Sequence, residues 1–222
     1  MIEILYRDSD IVVCVKPAGI VSQDAGEGSM PQLLREQLQC EYVAVVHRLD
    51  REVGGVMVYA LSKRAAAALS TAVQNHAVEK RYRAVLCGTE LPDSGVLEDL
   101  LFHDRQKNKT YLVQRQRKGV KDAKLSYRVL QRTGERTLVE VLLHTGRTHQ
   151  IRVQFAGRKL PLAGDGKYGG KQTGKQLGLW SCGLRFAHPV TGKPMDFASM
   201  PPVAAPWDVF VVEGECECTA SE

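Results

Sequence analysis

Three short segments concentrate the side chains able to do chemistry. The first is His47-Arg48-Leu49-Asp50-Arg51-Glu52-Val53-Gly54-Gly55, where four charged residues crowd between two apolar runs. A carboxylate among cations on a loop held by strands is a common active-site arrangement. A solvated loop with one satisfied ion pair has the same pattern. The second segment, Gly146-Arg147-Thr148-His149-Gln150-Ile151-Arg152, sets a glycine before a helix start that Thr148 can cap. Free N–H groups and the dipole at such a start suit an anion, and Arg147 and Arg152 add positive charge; a basic surface helix reads alike. Arg152 follows His149 by three residues, so the two share a helix face. The third segment is Lys80-Arg81-Tyr82-Arg83. Alternation puts Tyr82 on one strand face with Ala84 and Leu86, where a tyrosine is commonly a core residue with a satisfied hydroxyl.

The elements that must position these segments follow from periodicity and turn chemistry. Ile2–Tyr6 and Ile11–Lys16 predict short strands, the second broken by Lys16-Pro17-Ala18-Gly19. Ser29, Pro31, Leu34 and Leu38 predict a helix to about Gln39. Val43–Val46 is a short apolar run that enters the first charged segment, and Val56–Leu61 leaves it as a buried strand. Ser62 caps an alanine-rich helix over Lys63–Asn75. Arg81–Cys87, Leu125–Gln131 and Thr137–Leu143 read as strands, with shorter ones near Leu184–Ala187 and Met195–Ala198. Val96–Lys124 is polar and reads as a hairpin or long loop. A short helix is expected over His149–Ala156, closed by Gly157, with Ile151 and Phe155 facing the core. Strands outnumber helices without regular β-α-β alternation, which predicts an α+β fold with a largely antiparallel sheet.

The 222 residues carry a formal charge of +5, and the last twelve, Val211–Glu222, hold four Glu and no Lys or Arg. The rest of the chain is therefore more basic than the total suggests, which suits a polyanionic partner. Six cysteines are scattered without a paired C-x-x-C pattern. Cys14 and Cys87 read as core. Cys216 and Cys218 form a C-x-C in the acidic tail, open to metal binding or to an ordinary frayed, reduced end. The N-terminus lacks the features of a signal peptide, and no apolar stretch reaches membrane-spanning length, so a cytoplasmic protein without membrane contact is expected.

Taken together and in order, the segments resemble the RluA-type pseudouridine synthases. The resemblance rests on His47-Arg48-Leu49-Asp50 and the turn and strand after it, Lys80-Arg81-Tyr82, and Gly146-Arg147-Thr148-His149-Gln150-Ile151-Arg152-Val153. It extends to Pro161, Gly164-Asp165-Gly166-Lys167-Tyr168-Gly169, the opening Lys16-Pro17-Ala18-Gly19 and His188-Pro189, nearly the whole chain. It implies the pseudouridine synthase catalytic fold: α+β, with a largely antiparallel mixed sheet flanked by helices and loops around a central cleft. Residues 1–212 are expected to form this domain and 213–222 a disordered acidic tail. The pattern starts at once, so no N-terminal accessory RNA-binding domain is expected. One departure stands out: Val53-Gly54-Gly55 replaces the usual Thr-Ser-Gly, which removes two hydroxyls from the turn.

The implied activity is isomerisation of uridine to pseudouridine in a structured ribosomal or transfer RNA. The catalytic set carried over is Asp50, Tyr82 and Arg152: Asp50 acts on the electron-poor sugar, Arg152 aims it, and Tyr82 stacks on the flipped uracil and helps remove its C5 proton. Arg48 enters the space left by the extruded nucleotide. His47, Arg147 and His149 are expected at the RNA as well. So are Arg115, Arg117 and Lys118, from a cation-rich stretch expected to lie across the RNA backbone beside the cleft. No metal or organic cofactor is implied, and a monomer is expected. Two other classes fit parts of the pattern: a non-catalytic RNA-binding protein, against which the intact catalytic set speaks, and a glycosidase, for which Glu52 would be the second carboxylate.

Overall fold

A computed structural model describes residues 1–169 and 176–210. In chain order the elements are β1 (Glu3–Arg7), β2 (Ile11–Lys16), α1 (Met30–Leu38), β3 (Ala44–Val45), β4 (Gly54–Ala60), α2 (Lys63–Gln74) and β5 (Glu79–Cys87). There follow β6 (Ser94–Asp104), β7 (Lys109–Val113), β8 (Val120–Thr133), β9 (Arg136–Leu143), α3 (Gln150–Ala156), β10 (Leu179–Ala187) and β11 (Pro194–Ala198). All the described strands join one sheet of order β1-β2-β4-β10-β5-β9-β8-β6-β7, with β11 added to β10 and β3 to β4. The pairings are antiparallel except β4 with β10. This is the α+β, largely antiparallel mixed sheet that the sequence implies.

Alternation along the strands sends apolar side chains to both faces. One face carries Cys14, Met57, Tyr59, Tyr82, Ala84, Leu86 and Val141, covered by Met30 and Leu34 of α1 and by Ile151 and Phe155 of α3. The opposite face carries Val13, Val56 and Val58 under Ala65 and Leu69 of α2, and Val85 and Trp180 under Trp207 and Phe210. Of the hairpin or long loop expected within 96–124, the hairpin is present as β6 and β7, and Cys87 departs from its reading as core. Residues 96–124 are mostly strand, because β6, β7 and the start of β8 form the outer end of the sheet, where exposed faces accept the polar residues that hide strand character. Cys87 is half-buried, whereas Cys14 is fully buried. Cys216 and Cys218 lie outside the described residues.

The parallel pairing sits at the end of the first charged segment, with Gly54 opposite Trp180 and Gly55 opposite Ser181. An added Cβ on Gly54 would strike the Trp180 ring, and one on Gly55 would strike the Ser181 carbonyl. Gly55 also holds φ +119, where L side chains are strained. The loss of hydroxyls at this turn thus coincides with close backbone approach. Gly55→Ala is expected to lower the denaturant midpoint by the equivalent of about 3 kcal/mol or more, since it combines overpacking with a forbidden backbone angle. Urea unfolding measures it; an unchanged midpoint would show that the two strands can separate freely here.

Candidate active site

The Asp50 loop is held from several sides. His47 is buried, and its Nε2 accepts the Val58 N–H at 3.1 Å, spending the imidazole on β4. Ser22 Oγ donates to the Leu49 carbonyl at 2.8 Å and accepts the Leu49 N–H at 3.3 Å. Lys16 is fully buried at the end of β2, and its ammonium donates to the carbonyls of Pro17, Ile20 and Arg51 at 2.8, 2.7 and 3.1 Å. One cation thereby ties the 17–20 turn to the residue after Asp50. Burial lowers the Lys16 pKa to about 8, against the opposing pull of Asp50 and Glu52. Between these anchors Asp50 turns its carboxylate into the cleft with a quarter of the side chain exposed.

Arg152 on α3 meets it. Its Nη1 donates to Asp50 Oδ2 at 2.8 Å, while Nε and Nη2 hold both oxygens of Asp165 at 2.7 and 2.8 Å. Asp165 is fully buried, and its Oδ1 also accepts the Lys167 and Tyr168 N–H groups at 3.1 and 3.3 Å. The guanidinium lies over the Tyr168 ring at 5.3 Å. Although burial works against the charged form, Asp165 and then Asp50 raise the Arg152 pKa, so it is a permanent cation. The two-pronged contact thus goes to Asp165, and Asp50 takes the third donor.

The start of α3 departs from the sequence reading. Thr148 does not cap it: its carbonyl accepts the Thr110 hydroxyl, and His149 occupies the cap position in the left-handed region at φ 55. The Arg147 N–H donates to Gln150 Oε1 at 3.0 Å, so it is not free for an anion. The left-handed turn carries the His149 ring to 3.7 Å from Asp50 Oδ2 (Nε2).

Tyr82 is buried in the cleft floor, and burial together with Asp50 raises its pKa, so the phenol keeps its proton. The cleft has a volume of about 1210 Å³, and its lining includes Arg48, Asp50, Glu52, Lys80, Tyr82, Arg147, His149, Arg152 and Lys167. Arg48 is exposed and reaches Gln23 Oε1 at 2.9 Å. Arg147 holds the Asp122 carbonyl at 2.8 Å. Arg115, Arg117 and Lys118 do not line the cleft. They lie in the 114–119 connection, where Arg117 stacks on Phe102 at 5.0 Å. His103, the next residue of β6, has its ring 6.3 Å from His149. Strand alternation therefore puts Arg117 on the far face of the sheet. A count of cations along the sequence does not reveal which face they take.

The family model described as RNA pseudouridylate synthase matches residues 10–157. The chain belongs to this family. It is an RNA pseudouridine synthase of the RluA type, an isomerase. It is 33% identical to an uncharacterized RNA pseudouridine synthase of Mycobacterium bovis, across 96% of this chain and 73% of that protein. It is 34% identical to the ribosomal large subunit pseudouridine synthase D of Neisseria meningitidis, across 88% of this chain and 57% of that one. The solved structure of human RNA pseudouridylate synthase domain containing 1 shares the fold, with a TM-score of 0.78 at 21% identity, covering 92% of this chain and 85% of that one. Among the described residues no helix is long and apolar enough to cross a membrane.

Sequence reasoning gave no role to Asp165, Lys16, Ser22 or Tyr168. The signal was at hand for Asp165 and Lys16, which lie in motifs already quoted, but their partners are 13 and up to 35 residues away. The buried state of His47 has a measurable consequence. Burial, aided by Lys80, lowers its pKa from 6.5 to about 3. As pH falls below 6.5 the unfolded chain takes up a proton that the folded chain refuses, so stability falls with pH down to about 3. The slope from this one group is up to about 1.4 kcal/mol per pH unit. His47→Gln is expected to flatten the decline in melting temperature between pH 6.5 and 4; an unaltered decline would mean that His47 titrates normally in the fold.

Proposed function

We propose that this pseudouridine synthase acts on ribosomal or transfer RNA, with Asp50 as the catalytic carboxylate. The observation that carries this reading is the chain Asp50–Arg152–Asp165, which aims one carboxylate into a cleft whose floor is Tyr82. Asp165 is consumed by Arg152 and two backbone N–H groups and cannot serve as a second acid, which favours a single working carboxylate over the paired arrangement of most glycosidases. Relatives named for the ribosomal large subunit support ribosomal RNA as the first substrate to try.

In this reading Asp50 acts on the sugar as the carbon–nitrogen bond breaks. The released uracil turns over Tyr82 and joins the sugar through C5; the C5 proton goes to solvent, and N1, freed from the sugar, takes one up. Tyr82 provides a stacking surface and a phenol oxygen that can relay that proton, not a phenolate base, because burial keeps it protonated. Arg48, exposed at the cleft rim, fills the gap left by the extruded nucleotide. Arg147, Lys80 and Lys167 are the cleft cations nearest the strand being modified. We assign His47 to holding the loop, and give Arg115, Arg117 and Lys118 no contact with that strand. Residues 1–212 act as one catalytic unit, supported by the single sheet running from β1 to β11. The reading is of a monomer, working in the cytoplasm where its RNA is made.

Tritium release from 5-tritiated uridine in total RNA, taken from cells lacking the gene, tests the reading, and pseudouridine mapping of the same RNA identifies the substrate. Asp50→Asn is expected to release no tritium while binding RNA within about threefold of wild type, since affinity comes mainly from phosphate contacts. Activity of that variant would remove Asp50 from the mechanism. Tyr82→Phe is expected to keep the ring but slow product formation at least about tenfold. A wild-type rate would make Tyr82 a packing residue.

A further inference from the structure

His149 is presented to the cleft with its Nδ1 against the Tyr168 hydroxyl. The Tyr168 hydroxyl accepts the Thr110 N–H at 2.8 Å, and it lies 2.9 Å from His149 Nδ1. With the Tyr168 hydroxyl donating to Nδ1, the neutral His149 ring bears its proton on Nε2, and we assign this tautomer. Burial lowers the His149 pKa to about 4, despite the opposing pull of Asp50 and with the help of Arg152, Lys167 and His103, so the ring is neutral near pH 7. Its Nε2–H stands 3.7 Å from Asp50 Oδ2, too far for a hydrogen bond, and both atoms line the cleft.

A donor and a carboxylate oxygen at this separation can each lie about 2.8 Å from a third atom. That atom must accept from N–H and donate to a carboxylate. Uracil carbonyls and phosphate oxygens only accept, and uracil N–H only donates; a hydroxyl does both. Within an RNA chain the 3′ and 5′ oxygens of ribose are esterified, which leaves the 2′-hydroxyl, one carbon from the bond that breaks. We propose that His149 donates from Nε2 to the 2′-hydroxyl of the target uridine while that hydroxyl donates to Asp50, making this pair the element that selects ribose over deoxyribose at the reacting nucleotide. The proposal rests on the assignment of Asp50 given above.

The test uses an oligonucleotide spanning a site that the enzyme modifies in total RNA, made with uridine or 2′-deoxyuridine at the target position only. Affinity and kcat/KM are measured for both with wild type, His149→Leu and His149→Gln. The deoxy sugar's different intrinsic reactivity is common to all three enzymes and cancels when their preferences are compared. Wild type is expected to prefer uridine by about tenfold or more, His149→Leu to lose that preference, and His149→Gln, which keeps an amide donor, to regain part of it. A preference unchanged in His149→Leu overturns the proposal. If His149→Leu does not fold, as judged by thermal unfolding, Tyr168→Phe decides, because it removes the hydroxyl that fixes the imidazole proton while leaving the ring. Its preference must then fall by about threefold or more, and a full wild-type preference overturns the proposal. An active Asp50→Asn enzyme signals failure of the underlying assignment instead, and is read separately on the unsubstituted RNA.

Discussion

The site depends on one buried guanidinium shared between two carboxylates. Arg152 is nearly inaccessible, and Asp165 beneath it is more so. A charge in such a place is tolerated only when each of its nitrogens finds an acceptor, and removing one partner of a buried pair commonly costs about 3–5 kcal/mol. Arg152 meets the condition with its fork on Asp165 and one remaining nitrogen on Asp50. The stable pair is therefore Arg152–Asp165, packed over Tyr168 and fastened to backbone N–H groups. Asp50 is the guest of that pair: half-buried, and held among the described residues by one hydrogen bond to its carboxylate. A carboxylate clamped by both prongs of an arginine would be better anchored and less able to react.

The surroundings are tuned in the same sense. His47, His149 and Lys80 all have pKa values lowered by burial, and Tyr82 has one raised by it. Each shift favours the neutral form, the signature of a poorly solvated site. In such a site the Arg152–Asp50 attraction is stronger than it would be at the surface, and the direction of each remaining N–H matters more.

Much of this was legible in the sequence. His47-Arg48-Leu49-Asp50, Lys80-Arg81-Tyr82 and the segment ending at Arg152 are contiguous strings, and the strands on either side of Asp50 are apolar enough to read directly. What escaped were properties that contiguity does not encode. Thr148 looked like a cap because it precedes a helix, but the backbone turns left-handed at His149 and moves the cap by one residue. The 96–124 stretch reads as a hairpin or a long loop alike, because strands at the end of a sheet carry polar residues on their open faces. For the cations at 115–118 no face is written in the sequence, and a connection crossing β6 puts Arg117 on Phe102, away from His103. Lys16 looked like the polar end of a strand, while its ammonium serves three carbonyls inside the fold.

The parallel seam between β4 and β10 has a consequence in time. Ser181 donates to the Val56 carbonyl across 125 residues of chain, and Trp180 and Ser181 pair with Gly54 and Gly55, immediately after the Asp50 loop. Pairings that distant close a long loop before any contact repays its entropy, and they form late. During synthesis the loop bearing Asp50 emerges early but lacks its flanking strand until most of the polypeptide has been made. Arg152 also arrives a hundred residues after its carboxylate. A nascent chain therefore carries the Asp50 motif without its cleft, which is complete only once β10 seals the sheet.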